Sequence, residues 1–205
     1  TGLINLGDPN VTITDPGQIY GGRAGRYMFT HPGDSGRLVM HINGNGGFGI
    51  FEVGTSDNYA PVRIDNNSFN GGNFSGYVQS GYFADAGSGP QGNAIGVVNA
   101  TWHLWSNVTV PGRVLVSVFW SSDMEDKSFN NGQVYISQYA NNAWDTSPTA
   151  IANMQINGLY MAQRSGFNTL GMLGVFSQTE GNTATTDVNA GAGVSVYPVP
   201  AATQV

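Results

Sequence analysis

Short apolar runs, rich in β-branched and aromatic residues, recur along this 205-residue chain and are separated by turn-forming residues. The clearest runs are predicted to be strands, and they cover residues 11–15, 27–31, 37–42, 48–53, 61–65, 77–83, 97–105, 113–120, 134–139 and 173–177. Glycine, asparagine and proline dominate the intervals, including 15–17, 32–34, 43–47, 111–112 and 130–132, where we expect hairpin turns. This spacing predicts an all-β fold, an antiparallel β-sandwich built as one sandwich or as two stacked β units.

The low content of charged residues argues against long surface helices and against a nucleic-acid-binding surface. Charged residues make up 10% of the chain, whereas a long surface helix needs charged, straight-chain residues on its wet face. The seven Lys and Arg residues are scattered and the net charge is −6, so we expect no nucleic-acid partner. No apolar run reaches the length of a membrane-spanning helix, and we therefore expect no membrane insertion. Cysteine is absent, which excludes disulfides and thiolate sites.

The run at 113–120 predicts a central strand. Its alternate residues from Val114 to Trp120 share one apolar face. The opposite face is half apolar because it carries Leu115 and Phe119. We therefore expect a strand covered on both sides, with Trp120 in the core.

The chain is predicted to consist of a β-sandwich at 1–178, with a candidate internal boundary in the Gly/Pro/Ser-rich stretch 85–93. Residues 179–193 have the small, polar composition of a linker. Residues 194–205 begin with another strand-like segment. Its members are candidates for a strand that adds to a neighbouring copy: Val194, Val196 and Tyr197.

Two motifs match patterns of catalytic or nucleotide-binding sites, but we interpret both as turns. The run Gly33-Asp34-Ser35-Gly36 matches the nucleophile motif of trypsin-type proteases, which requires a histidine and an aspartate brought from other strands. Too little chain precedes Ser35 to supply both. The glycines of 44–49 fit G-x-G-x-x-G, but a predicted strand follows them where a dinucleotide site needs a helix. A hairpin turn is the better interpretation.

Acidic residues and histidines give only a limited indication of a metal site. The one acidic cluster is a candidate Ca²⁺ site, with a solvated loop as the alternative: Asp123, Glu125 and Asp126. The three histidines lack a metal-binding spacing: His31, His41 and His103. We expect no cofactor, with Ca²⁺ the one ion that the sequence leaves open.

Four tryptophans are present, and two of them are candidates for stacking on a glycan. Trp105 and Trp144 lie near the ends of predicted strands, where they could be exposed, whereas Trp120 is predicted to be buried. Core packing is the alternative for both residues.

Six segments follow one another in an order that resembles a known family: 51–62 (FEVGTSDNYAPV), 98–102 (VNATW), 122–125 (SDME), 139–144 (YANNAW), 165–176 and 196–201 (VYPVPA). The order is similar to that of bacterial cell-surface proteins exported by the type IX secretion system, and the last segment resembles the start of their C-terminal sorting domain. Glu52 and Val199 depart from the pattern, which has proline and asparagine there. The resemblance implies an extracellular β-sandwich from an adhesin-like or filament-like context, without a known catalytic set.

The sequence therefore predicts a non-catalytic, extracellular structural protein. We expect it to assemble with itself, as a homo-oligomer or polymer, in a surface filament, a sheath or an adhesive layer. The alternative is a carbohydrate-binding or adhesion module of a larger secreted protein, with glycans as partners. An enzyme is the least favoured class, because no acid, base and nucleophile can be assembled from the motifs.

Overall fold

The computed structural model of the protein describes residues 2–14, 18–87, 96–145 and 154–178. Within these ranges the chain forms short strands and a single 3₁₀ turn at Ser122–Met124. The strands are β1 (Ile4–Asn5), β2 (Val11–Ile13), β3 (Met28–Phe29), β4 (Leu38–Ile42), β5 (Gly47–Phe51), β6 (Val53–Gly54), β7 (Val62–Asn66), β8 (Gly72–Ser80), β9 (Val97–Ser106), β10 (Val114–Trp120), β11 (Val134–Ala140), β12 (Ala143–Trp144), β13 (Met154–Ile156), β14 (Leu159–Arg164) and β15 (Met172–Ser177).

Two large sheets and one small sheet account for all these strands. One large sheet has five strands in the order β13-β14-β10-β7-β5, and the other has seven in the order β12-β11-β15-β9-β8-β4-β2. Both are antiparallel except for the parallel pair of β2 and β4. The small sheet, β1-β3-β6, is parallel. The predicted all-β, sandwich-like fold with little helix is confirmed.

The core lies between the large sheets, which both contribute apolar residues to it. Trp102 from β9 and Trp120 from β10 are fully buried. Each indole N–H has a partner, because Trp102 donates to the Ala60 carbonyl at 3.0 Å and Trp120 donates to Glu125 at 2.9 Å. The N–H group of a buried tryptophan usually has a partner of this kind, because an unpaired buried donor is costly.

Strand β10 is central, as predicted, since it pairs with β14 on one side and β7 on the other. Its inward face, from Val114 to Trp120, is fully buried. The outward residues Leu115 and Phe119 remain half-exposed, however. Ser117, which lies between them on the same face, is buried, so the outer face of β10 is covered in part, and Leu115 and Phe119 line an open groove.

Three of the predicted hairpin turns instead carry the chain from one sheet to the other. Residues 43–47 connect β4 with β5, 111–112 lie between β9 and β10, and 130–132 lie between β10 and β11. The true hairpin turns are Asn141-Asn142 and Asn157-Gly158, which all have positive φ. A turn that connects two sheets, which we call an arch, uses the same turn residues as a hairpin, so composition alone does not distinguish them.

A buried asparagine holds the first of these arches. The Asn66 side-chain amide donates to the carbonyls of Ile42 (3.4 Å) and Asn70 (3.0 Å). Its oxygen accepts from the Ser68 backbone N–H (3.1 Å) and hydroxyl (2.5 Å). Asn66 thereby joins the end of β4 to the loop that follows β7.

The candidate boundary at 85–93 joins two strands that pair with each other, β8 and β9. Residues on both sides of this stretch contribute to the same core, including Phe74 and Trp102. The described residues therefore share one hydrophobic core. Most of 85–93, all of 179–193 and the tail 194–205 lie outside the described residues.

Candidate functional site

The outer face of the five-stranded sheet forms a groove of about 900 Å³. Strand register places one row of facing residues across four strands: Ile50, Arg63, Ser117 and Gln163. Apolar side chains make up most of the rest of the lining, among them Leu115, Phe119, Ile156, Leu159 and Met161. The groove is thus an apolar surface crossed by one polar strip.

The polar strip consists of Arg63, Asp65, Ser117 and Gln163, and these residues pair with one another. Arg63 and Asp65 lie two residues apart on the same face of β7, and the Arg63 Nε donates to both Asp65 oxygens at 3.1 and 2.9 Å. The hydrogen bonds that Arg63 donates to Asp65 are the main reason that the pKa of Arg63 is raised. Gln163 donates to the Ser117 hydroxyl at 2.9 Å. Since these groups satisfy one another, the polar strip carries no net charge, and Arg23 is the remaining charged residue of the groove lining.

A tyrosine–glutamate pair lies beside the groove. Tyr59, which lines the groove, donates its hydroxyl proton to the carboxylate of buried Glu52. Burial raises the pKa of Tyr59, and the hydrogen bond to Glu52 raises it further. Gly22 packs so closely on this carboxylate that a Cβ atom there would overlap it. The hydrogen bond and the close approach of Gly22 therefore fix Tyr59 in the wall of the groove.

The groove extends to an exposed apolar edge strand, β13. All three β13 residues are exposed, with Met154 at 47% and Ile156 at 42%. Among the described strands, β13 pairs only with β14. No charged residue occurs from Met154 to Gly158. An uncharged, apolar edge is the kind of strand that accepts another chain, because edges that avoid pairing usually carry charge or proline.

Trp105, a glycan-stacking candidate, is half-buried on the outer face of the seven-stranded sheet. The Arg37 guanidinium carbon lies 3.6 Å from the centre of its ring. Tyr77 stacks on His103 at 4.5 Å, and both rings lie near Trp105, at 5.8 and 6.0 Å. Cation–π and stacking contacts of this kind fix the indole in one orientation.

A small cavity of about 300 Å³ lies beside Trp105. Its other lining residues come from the loop after β9 and the loop before β15: Ser106, Asn107, Val108, Thr109, Asn168, Thr169 and Leu170. All of them are uncharged. The cavity therefore offers one aromatic wall together with amide and hydroxyl groups.

Trp144, the second glycan candidate, has a different environment. It is half-buried, and its indole N–H donates to the Phe83 carbonyl at 3.1 Å. Its ring contacts Tyr82, Tyr139 and Phe176, with centroids 5.4–5.5 Å away. Trp144 packs in an aromatic cluster that holds the 81–87 loop on the sheet. The structure places no ring contact between it and Trp105.

The acidic cluster is used mainly for internal hydrogen bonds. Glu125 accepts from Trp120 at 2.9 Å and from Asn131 at 3.2 Å, and Asp126 accepts from the backbone N–H groups of Gly96 and Val97 at 2.7 and 3.0 Å. Asp123 is exposed. Within the described ranges, no three His, Cys, Asp or Glu residues are arranged to hold a metal ion.

The protease-like and dinucleotide-like motifs are parts of loops. Ser35 is exposed and contacts Asp8 through its backbone N–H at 3.3 Å. The Asp34 backbone N–H donates to the His31 carbonyl at 3.0 Å, which closes a turn. The glycines of 44–49 lie just before and within strand β5, whereas a dinucleotide site needs a helix there.

Sequence analysis missed the groove and the small cavity. The groove had a signal, because Leu115 and Phe119 made the outer face of β10 half apolar. The cavity had none, because Asn107 and Asn168 are far apart in the chain and occur in ordinary loop sequences. The candidate assembly residues lie outside the described residues: Val194, Val196 and Tyr197.

The described residues define a sandwich-like all-β protein with an open groove on the outer face of the five-stranded sheet. No helix in the part of the chain that the structure describes is long and apolar enough to cross a membrane. Comparison with known proteins gives no match, whether with family models, curated proteins or solved structures.

Proposed function

We propose that this protein is a non-catalytic structural subunit that assembles with copies of itself at an extracellular surface. In this proposal the joint is the groove of the five-stranded sheet together with its edge strand β13. The occupant is the 194–197 segment of a second copy, added beside β13 as a further strand. The extracellular placement rests on the sequence resemblance to type IX-exported proteins.

The observation that carries the proposal is the continuity between the apolar groove and an uncharged apolar edge. Ile156 belongs to both, since it lines the groove and lies in exposed β13. An uncharged edge strand beside an apolar groove is a surface to which a further strand can add.

The pattern of the tail segment suits this joint. In an extended conformation Val194 and Val196 project to one face and Ser195 and Tyr197 to the other. Beside β13, the two valines would extend the apolar row of β13 side chains at no cost in buried charge. Added backbone hydrogen bonds would supply affinity, and the alternating side chains would set the register.

The length of the intervening segment permits the contact. Residues 179–193 follow Gln178, which donates its backbone N–H to the Gln133 carbonyl at 2.9 Å at the end of β15. Fully extended, fifteen residues reach up to about 50 Å. Seven strands spaced at about 4.8 Å span about 30 Å. The tail can therefore reach beyond the edge of its own sandwich to a neighbour.

Light scattering and electron microscopy of the full chain over a range of concentrations test this function. We expect oligomers or filaments for the wild type and at least about tenfold weaker association for Ile156→Lys, because a desolvated lysine opposes the joint. Leu3→Lys is the matched control, since Leu3 is equally exposed (43%) and does not line the groove. A wild type that stays monomeric, or equal effects of the two lysines, would contradict the proposal.

A further inference from the structure

We infer a second, separate binding site: the cavity beside Trp105 takes the terminal sugar ring of a neutral glycan. The inference does not depend on the assembly proposed above, because the cavity lies between loops at the seven-stranded sheet and shares no lining residue with the groove. Of the two tryptophans that the sequence analysis named as glycan-stacking candidates, the inference keeps Trp105 and drops Trp144.

Trp105 provides a prearranged apolar wall. Trp105 lines the cavity, whereas Arg37, which lies over the indole ring at 3.6 Å, does not. Tyr77 and His103 support the indole from neighbouring strand positions. Because the ring is already held, a ligand would lose little affinity to ordering it. A flat apolar wall of this kind suits the C–H face of a sugar ring.

The remaining lining groups match hydroxyls. Asn107 accepts from the Asn73 backbone N–H through Oδ1 at 2.8 Å, which fixes the amide and leaves its NH₂ group as a donor. Asn168 is a second amide-bearing residue of the lining, and Thr109 and Thr169 are its hydroxyl-bearing residues. Amides and hydroxyls both donate and accept, as vicinal sugar hydroxyls require.

Two loop contacts keep these groups in place. The Ser106 hydroxyl donates to the Val108 carbonyl at 2.6 Å, which tightens the 107–109 loop. The Gln138 side chain donates to the Thr169 carbonyl at 2.8 Å and ties the second loop to β11. The site is therefore built from braced loops, and not from a chance depression between free side chains.

Charge and size set the ligand class. None of the residues that line the cavity is charged, so a phosphate, a sulfate or a carboxylate would lose its hydration without an ionic partner. A volume of about 300 Å³ is at the small end of ligand sites. These properties favour the neutral end of a hexose chain over an acidic glycan or a nucleotide.

The test uses the full chain and a panel of neutral oligosaccharides, including cellotetraose, maltotetraose and mannotetraose, with a sulfated oligosaccharide as the charged comparison. Calorimetry and tryptophan fluorescence report binding. We expect at least one neutral ligand to bind and the sulfated one not to bind. Trp105→Ala should abolish binding, and Asn168→Ala should weaken it about tenfold. Asn67→Ala, a change of another exposed asparagine, should leave the affinity unchanged.

Two variants separate a loss of glycan binding from a loss of folding and from a loss of assembly. Asn168 is exposed, so its loss should not disturb folding even if Trp105→Ala does. Ile156→Lys should bind the glycan as well as the wild type does, which separates this site from assembly. Absence of binding across the neutral panel, preference for the sulfated ligand, or equal affinity of the Asn168→Ala and Asn67→Ala variants would overturn the inference.

Discussion

Arg164 and Asp145 join the two large sheets through a two-pronged ion pair. Arg164 is the last residue of β14 in the five-stranded sheet, and Asp145 directly follows β12 in the seven-stranded sheet. The Arg164 Nη1 and Nη2 atoms lie 2.9 and 2.6 Å from the two carboxylate oxygens, and Nη1 also donates to the Ile136 carbonyl at 3.1 Å. The pair ties the sheets together near the edge of the sandwich.

Asp145→Asn should lower the free energy of unfolding by about 1–3 kcal/mol, because it weakens charge-assisted hydrogen bonds in a partly buried position. Urea unfolding at pH 7 measures the loss. Asp65→Asn is the matched control: its partner Arg63 is more exposed and both residues lie on one strand, so we expect a loss under about 1 kcal/mol. Equal losses for the two variants would contradict the role of the inter-sheet pair.

The same carboxylate should make stability depend on acid pH. Burial by itself raises the pKa of Asp145, but the hydrogen bond and charge of Arg164, together with bonds from Gln138 and Ser137, bring the pKa below its usual value. A carboxyl with a lowered folded-state pKa contributes stability above its unfolded pKa of about 4 and loses it as pH falls through the folded pKa. The difference between wild type and Asp145→Asn should therefore shrink below about pH 4, and a constant difference would contradict this.

His103 should make the protein less stable in mild acid. Burial lowers the pKa of His103 to about 4, and the nearby Arg37 charge adds to this. As pH falls from about 6.5 to about 4, the unfolded chain binds a proton that the folded chain excludes, so stability falls by about 2–3 kcal/mol. His103→Phe keeps a flat ring against Tyr77 and should flatten this part of the pH profile in urea unfolding. His31→Gln, at an exposed histidine, should keep the wild-type slope. A wild-type slope in His103→Phe would refute the assignment.

Asn66→Ala should be among the more damaging substitutions, since it removes the side-chain donor to the Ile42 carbonyl and the acceptor of the Ser68 backbone N–H, both in a buried site. We expect a loss of about 2–4 kcal/mol in thermal or urea unfolding. Asn67→Ala, one residue further on and exposed, should change stability by less than about 0.5 kcal/mol. If the two variants were equally stable, the arch would not depend on the buried amide.

Local pattern was enough to predict most strands. The runs at 37–42, 97–105 and 113–120 match β4, β9 and β10 to within one residue at each end, because alternation and β-branched content report strand structure directly. Strand partners were not predictable in the same way. The 43–47 turn did not show whether it forms a hairpin or an arch, because contacts that hold it come from far along the chain, such as the bond from Asn66 to the Ile42 carbonyl.

The site residues, too, were only partly predictable from local sequence pattern. The half-apolar face of β10 was visible in the sequence, and the structure places Leu115 and Phe119 in the groove. Trp105 and Trp144 looked alike in the sequence, because both lie near strand ends. Only the fold shows that the Phe83 carbonyl engages Trp144, whereas Trp105 lines a cavity. Long-range packing decides which aromatic residue is available.

The central claim is that the 194–197 segment of one copy lies beside β13 of another, and engineered cysteines test it directly. The chain has no native cysteine, so Gln155→Cys and Ser195→Cys can be made in separate chains of different mass and mixed under mild oxidation. The proposal predicts that the Gln155→Cys and Ser195→Cys chains form a mixed disulfide much faster than Gln155→Cys does with a Leu3→Cys control chain, whose cysteine is at another exposed position. If the mixed pair forms no more disulfide than this control, the proposed joint is wrong.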